Sequence, residues 1–128
     1  MLKKGTSRGI FVLLLLLYTV LQWRYLALDF WNDELYTLRS FACQSFAAVL
    51  TDYHVPNNHI LFNALNRLYL LLIGEADFLR LLQSPEKLRG LMFAYAGLTL
   101  WGTWKLGDRF FSPLTGVLAV AITATTLP

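Results

Sequence analysis

The sequence has few of the features on which soluble proteins depend. Charged residues make up 15% of its 128 positions, against about 25% in ordinary globular proteins. Its single cysteine, Cys43, excludes an intramolecular disulfide and a cysteine-based metal cluster. Hydrophobic residues reach 56% and the mean hydropathy is +0.49. This composition excludes a disordered chain and argues against a fold in water.

The apolar residues lie in blocks separated by short charged stretches, a pattern typical of membrane-spanning helices. We therefore predict an all-α integral membrane protein with about four transmembrane helices, the last one truncated. The spans are expected within a single membrane region over residues 1–128, at about 10–28, 60–74, 88–106 and 114–128. Because the last block stops at Pro128 without a charged or aromatic anchor, we expect the sequence to be part of a longer chain.

The sidedness of the membrane follows from the basic residues ahead of the first span, Lys3, Lys4 and Arg8. Such residues favour the cytoplasmic side. This places the N-terminus in the cytoplasm of a multi-pass plasma-membrane protein, residues 29–59 in an outer loop and the charged segment 75–89 in a cytoplasmic loop. The third span would then end on the outer side, at Lys105, Asp108 and Arg109. Two basic residues on that side are an exception to the positive-inside tendency.

Two other interpretations of the basic and apolar N-terminus have less support. A cleaved signal peptide needs small residues three apart, and between Gln22 and Phe30 only Ala27 is small. A nucleic-acid partner would need basic and aromatic residues interleaved on a solvated face, a pattern that the sequence lacks.

The outer loop contains an amphipathic pattern with apolar residues three and four apart. It predicts a helix that lies on the membrane surface and ends near Asp52. Asn32 is expected to cap this helix, with Asp33 and Glu34 in its first turn, where the helix dipole favours negative charge. Residues 53–58 are expected to form a turn. The apolar positions are Leu35, Leu38, Ala42, Phe46, Val49 and Leu50.

Two groups of polar residues are candidates for chemistry. The carboxylates of Asp33 and Glu34, at the outer end of the first span, could act as a general base, or could serve only the helix dipole. The second group surrounds the start of the next apolar run, where a helix would place His59, Asn63, Asn66 and Arg67 on one stripe. Such a stripe could receive an anionic headgroup, with Arg67 neutralising phosphate, or could hold helices together. Two histidines five positions apart with a proline between them, His54 and His59, are a poor zinc signature, so no metal site is expected from these residues alone.

Several motifs resemble the start of the GT-C membrane glycosyltransferases, in particular their family 39. That group includes dolichyl-phosphate-mannose protein mannosyltransferases and bacterial aminoarabinose transferases. The segment Phe30-Trp31-Asn32-Asp33-Glu34-Leu35-Tyr36 is similar to the acidic pair that opens the family's first outer loop. The segment His54-Val55-Pro56-Asn57-Asn58-His59 resembles a bacterial subgroup with Asn-Asn-His in place of His-Pro-Pro. Leu88-Arg89 and the stretch 116–128 are similar to the family in their order and spacing along the chain. The resemblance covers nearly the whole chain.

The resemblance implies an enzyme that moves a sugar from a polyprenyl-phosphate donor to a lipid, glycan or protein acceptor at the outer membrane face, with inversion. It implies Asp33 as the catalytic base with Glu34 supporting it. His54, Asn58, His59 and Arg67 would bind acceptor or donor phosphate. No cofactor is expected, although a divalent metal ion is left open.

Two alternatives to an active enzyme are left open by the sequence. A small non-enzymatic membrane protein could pack against partner helices through a face of small residues at Gly90, Ala94 and Gly97. An inactive remnant of a transferase would keep the motifs without the chemistry.

Overall fold

The computed structural model describes residues 2–52 and 59–126, and every regular element in these ranges is helical. The all-α prediction is therefore confirmed for the described residues. The helices are α1 (Lys4–Gln22), α2 (Asn32–Thr37), α3 (Phe46–Thr51), α4 (Ile60–Leu72), α5 (Phe78–Leu82), α6 (Pro85–Phe110) and α7 (Pro113–Thr126). A 3-10 turn, Trp23–Tyr25, follows α1, and a π-helical turn, Leu38–Ala42, follows α2.

One helical segment in the described ranges, Lys4–Tyr25, is long and apolar enough to cross a membrane. Helix α6 is longer, but charges near both of its ends lower its hydropathy. Helices α4 and α7 are apolar but have only 13 and 14 residues, about 20 Å each and short of a bilayer core. The predicted span at 60–74 is thus a short helix.

The described chain divides into two compact units. The first unit comprises residues 2–25 and 92–126, and the second comprises Leu26–Leu91. The boundary falls within α6, between Leu91 and Met92.

In the first unit, α1 runs antiparallel to the C-terminal part of α6. Phe11 stacks on Trp104 with ring centroids 4.8 Å apart, and Tyr18, two turns later, meets Phe93 at 6.4 Å. Four alternating spans would have made α1 and α6 parallel, so this part of the predicted topology does not agree with the structure. The core of the unit consists of Phe11, Tyr18, Leu100, Trp104 and Val120.

Helices α6 and α7 approach closely at two glycines. A Cβ atom added to Gly107 would lie 2.6 Å from the Cα of Gly116, and one added to Gly116 would lie 2.8 Å from the Trp104 carbonyl oxygen. The predicted packing face is elsewhere on α6, and Gly97 on that face has no atom within 4 Å of an added Cβ. Close packing therefore uses a different pair of small residues from the predicted one.

The second unit is built from short helices whose ends are set by local hydrogen bonds. Ser45 caps α3 by accepting from the Ala48 amide at 3.2 Å, as a serine at this position commonly does. Gly74 follows the end of α4 by two residues, and its φ of 72° suits glycine. There the Glu75 amide donates to the Leu70 carbonyl at 2.9 Å, the pattern of a Schellman cap.

The predicted amphipathic helix over 32–52 is broken in the structure. The π-helical turn and the residues before Ser45 interrupt it, so α2 and α3 are separate helices. On the predicted apolar face, Leu38, Ala42 and Val49 are buried, whereas Phe46 and Leu50 are exposed. Helix α4 packs against both the π-helical turn and α3, so the buried residues face protein.

Candidate active site

The two candidate carboxylates lie in the first turn of α2, as predicted. Trp31 takes the cap position and Asn32 is the first helical residue, so the prediction that Asn32 caps the helix is wrong. The Trp31 amide donates to Oε2 of Glu34 at 2.9 Å, and the Glu34 amide donates to Oδ1 of Asp33 at 3.0 Å. Glu34 thereby satisfies an amide at the helix start that would otherwise lack a partner.

Arg89, in the first turns of α6, organises the chain that leads into α2. Its Nη2 donates to Oε2 of Glu34 and to the carbonyl oxygen of Asp29, both at 3.0 Å. Its Nη1 donates to the carbonyl oxygens of Leu26 and Leu28. The guanidinium also lies over the Phe30 ring, 5.2 Å from its centroid. Arg89 is buried, and one guanidinium therefore holds an ordered loop by charge-assisted hydrogen bonds.

These contacts give the two carboxylates different environments. The carboxylate of Glu34 is occupied by Arg89 and by the Trp31 amide. Asp33 is exposed, and its single side-chain contact among the described residues is the local bond from the Glu34 amide. Asp33 is therefore the carboxylate that is available to a bound molecule, and Glu34 holds the helix start in place.

Arg89 was not among the predicted site residues. Arg89 lies in the predicted cytoplasmic loop and Glu34 in the predicted outer loop, yet a 3.0 Å ion pair joins the two residues. A signal was present in the sequence, because an arginine directly before an apolar run needs a partner for its charge.

The predicted polar stripe on α4 is formed in part. Asn63 and Asn66 are fully buried, and His59 is exposed at the cap position before the helix. Arg67 is half-buried and its Nη1 donates to the Cys43 carbonyl oxygen at 3.3 Å. Its Nε and Oδ1 of Asn66 are buried without a hydrogen-bond partner among the described residues. The guanidinium thus keeps donors that a ligand could use.

The structure does not bring all the predicted site residues together. Within the described ranges, neither Asp33 nor Glu34 bonds to His59 or Arg67. The predicted residues His54 and Asn58, and the predicted turn at 53–58, lie outside the described residues. The part of the chain that is described contains no group of three or more His, Cys, Asp or Glu side chains placed to hold a metal ion.

Cys43 provides a test of the packing around Arg67. Burial raises the pKa of the Cys43 thiol to about 11, Arg67 opposes this rise and Asp77 adds to it. Because the thiolate is the reactive form, alkylation at pH 8 should be about 100-fold slower in the folded protein than in the unfolded chain. The rate should rise about tenfold per pH unit up to about pH 11, as measured by iodoacetamide labelling and mass spectrometry. Equal rates for folded and denatured protein would contradict the packing.

Comparison of the chain with models of protein families, with curated proteins and with solved structures gives no match. The resemblance to the GT-C transferases therefore remains a prediction from the motifs.

Proposed function

We propose that this chain supplies the catalytic carboxylate of a membrane glycosyltransferase that uses a polyprenyl-phosphate-linked sugar. The observation that carries the proposal is the division between Asp33 and Glu34. Arg89 and the Trp31 amide occupy Glu34, while Asp33 is exposed in the first turn of the same helix. An exposed carboxylate on a fixed helix start is the arrangement that a general base needs.

The proposed reaction is a single displacement with inversion. Asp33 takes the proton from an acceptor hydroxyl as the acceptor oxygen forms a bond to the anomeric carbon of the sugar. The bond between that carbon and the phosphate oxygen breaks, and the phosphate leaves with the electron pair. A phosphate leaving group needs neutralisation of its charge more than it needs a proton.

Arg67 is the described residue that best fits the leaving phosphate. Only one of its donors bonds to the chain in the described residues, and its Nε is buried without a partner there. Guanidinium groups bind phosphate through paired N–H donors. His59 is exposed at the start of the same helix, and His54 and Asn58 remain part of the proposed phosphate site from the sequence alone.

The proposed membrane arrangement differs from the predicted one in the path of the chain. We propose that α1 and α6 cross the membrane in opposite directions, and that Glu34 and Arg89, which bond to each other, lie on the outer face. The antiparallel contacts of α1 with α6 support this path, as does the pairing of Arg89 with Glu34. Large apolar side chains cover the exposed face of α1, as expected for contact with lipid; they include Val12, Leu13, Leu16, Leu17 and Val20.

The experiment compares Asp33→Asn with Asp29→Asn in the whole protein in its native membrane. Asp29 is also an exposed aspartate, and its role in the described structure is a backbone one, through the carbonyl that binds Arg89. Transfer of radiolabelled mannose or aminoarabinose from the polyprenyl-phosphate donor is measured. Loss of a general base should lower the rate for Asp33→Asn by about 100- to 10,000-fold, with Asp29→Asn near the unchanged protein.

Normal membrane insertion of both variants, checked by their abundance in the membrane fraction, separates lost chemistry from lost folding. Full transfer activity in Asp33→Asn would remove Asp33 as the base. An equal loss in the two variants would mean that the loop tolerates no change, and would also contradict the assignment.

A further inference from the structure

Basic side chains collect at one end of the first unit. The start of α1, the end of α6 and the start of α7 are joined there through Ser7. Trp104 Nε1 donates to the Ser7 hydroxyl at 3.0 Å, and this hydroxyl donates to the Pro113 carbonyl oxygen at 3.3 Å. Five exposed basic residues flank this junction in sequence, and we call them the basic end: Lys3, Lys4, Arg8, Lys105 and Arg109.

The charge at this end is strongly one-sided. Residues 1–25 and 92–128 contain six basic residues and a single acidic one, Asp108. The sixth basic residue, Arg24, lies near the opposite end of α1. The second unit, residues 26–91, contains five basic and seven acidic residues. The basic end is therefore a local concentration of positive charge in a chain whose net charge is only +3.

The aromatic residues at the basic end are those expected at a membrane interface. Lys105 Nζ lies 4.9 Å from the Trp104 ring centroid and 6.0 Å from that of Trp101. Trp101 is half exposed. Tryptophan and snorkelling lysine are typical of the headgroup level of a bilayer.

A shallow apolar groove runs along α6 and α7 near the same end of the first unit. It has a volume of about 670 Å³ and is lined mainly by Leu106, Gly107, Phe110, Phe111 and Ala119. Phe110 and Phe111 are strongly exposed, and Lys105 and Arg109 belong to the same turns of α6. An exposed apolar surface of this kind marks an interaction site.

We propose that the basic end binds the headgroup phosphate of an anionic phospholipid, with an acyl chain in the groove between α6 and α7. Clusters of four or more Lys and Arg next to a membrane helix attract anionic lipids. The groove favours a lipid over a free phosphate ion, because only a lipid brings an apolar chain with the phosphate. This inference is independent of the proposed transferase activity.

The test measures lipid binding to the purified whole protein in detergent. Dioleoylphosphatidylglycerol, dioleoylphosphatidylcholine and glycerophosphoglycerol are titrated separately, and bound molecules are counted by native mass spectrometry. The variants are K105Q/R109Q and K3Q/K4Q, with R24Q as the control at the opposite end. We expect phosphatidylglycerol to bind more tightly than the other two, with a loss of about fivefold in affinity per removed charge and no loss in R24Q.

The second double variant guards against a folding defect, because Lys3 and Lys4 are exposed at the chain start, whereas Lys105 lies over two tryptophan rings. Equal binding of the two phospholipids would overturn the proposal. So would an equal loss in R24Q, or a glycerophosphoglycerol affinity equal to that of the lipid. If both double variants, K3Q/K4Q and K105Q/R109Q, kept the full affinity for phosphatidylglycerol, the basic end would not be the binding site.

Discussion

Gly116→Ala should force α6 and α7 apart and destabilise the protein by about 3 kcal/mol. The added Cβ would lie 2.8 Å from the Trp104 carbonyl oxygen and 2.9 Å from the Asp108 amide nitrogen. Both are backbone atoms of α6, so a rotation of a side chain cannot relieve the contact. The same argument applies to Gly107→Ala, whose Cβ would meet the backbone of Gly116. Thermal unfolding in detergent measures the loss.

Gly102→Ala is the matched control in the same helix. No atom lies within 4 Å of a Cβ added at Gly102, and alanine is favoured over glycine within a helix by about 1 kcal/mol. This variant should unfold at the same temperature as the unchanged protein or slightly higher. An unchanged melting temperature in Gly116→Ala would show that α6 and α7 do not pack at the glycine pair.

Arg89→Ala should release the segment that leads into α2 and destabilise the second unit by about 3 kcal/mol. The substitution removes the partner of the Glu34 carboxylate and of three carbonyl groups, those of Leu26, Leu28 and Asp29. The carboxylate and the carbonyl groups would stay partly buried without a hydrogen-bond partner. The free-energy cost of removing Arg89 is therefore larger than the net stabilisation that its hydrogen bonds provide. Chymotryptic cleavage next to Phe30 and Trp31 should become much faster, and timed digestion followed by mass spectrometry measures it.

Arg80→Ala is the control for this prediction. Arg80 is an exposed arginine in the same unit, and its contact in the described structure is a capping bond from its backbone amide to Asp77. Cleavage near Trp31 should not change in this variant. Equal protection in Arg89→Ala and in the unchanged protein would mean that the guanidinium does not order the loop.

The sequence was sufficient to predict features that depend on local periodicity and helix electrostatics. The apolar run at 60–73 is helix α4, and Asp33 and Glu34 occupy the first turn of α2. The three- and four-residue spacing also assigned Leu38 and Val49 to an apolar face; both are buried, although against protein and not against the membrane surface. Each of these features depends on neighbours within one or two turns.

Features that depend on distant residues were missed. The bond from Arg89 to Glu34 joins positions 55 residues apart, and no local pattern records which charge an arginine will meet. The antiparallel packing of α1 and α6 was also missed, because the predicted direction of α6 depended on the number of spans before it, and α4 has only 13 residues in the structure. The roles of Gly107 and Gly116 depend on backbone approach between helices, which glycine spacing alone does not specify.

The antiparallel packing of α1 and α6 offers an explanation for Lys105 and Arg109, the two basic residues that the predicted topology leaves on the outer side. In the predicted arrangement, Lys105 and Arg109 lay on the outer side. In the structure, Trp104 bonds to Ser7, near the basic N-terminus. With α1 and α6 antiparallel, all five residues of the basic end would lie on the cytoplasmic side, in agreement with the positive-inside rule.

The central proposal is that Glu34 and Arg89 lie on one face of the membrane, because the chain leaves through α1 and returns through α6. Labelling of intact cells with a membrane-impermeant maleimide tests it, using single substitutions at exposed positions in a Cys43→Ser background. Glu86→Cys and Thr51→Cys should both be labelled from outside, and Arg109→Cys only after permeabilisation. Labelling of Glu86→Cys only after permeabilisation would contradict the claim and restore a membrane crossing between the two positions.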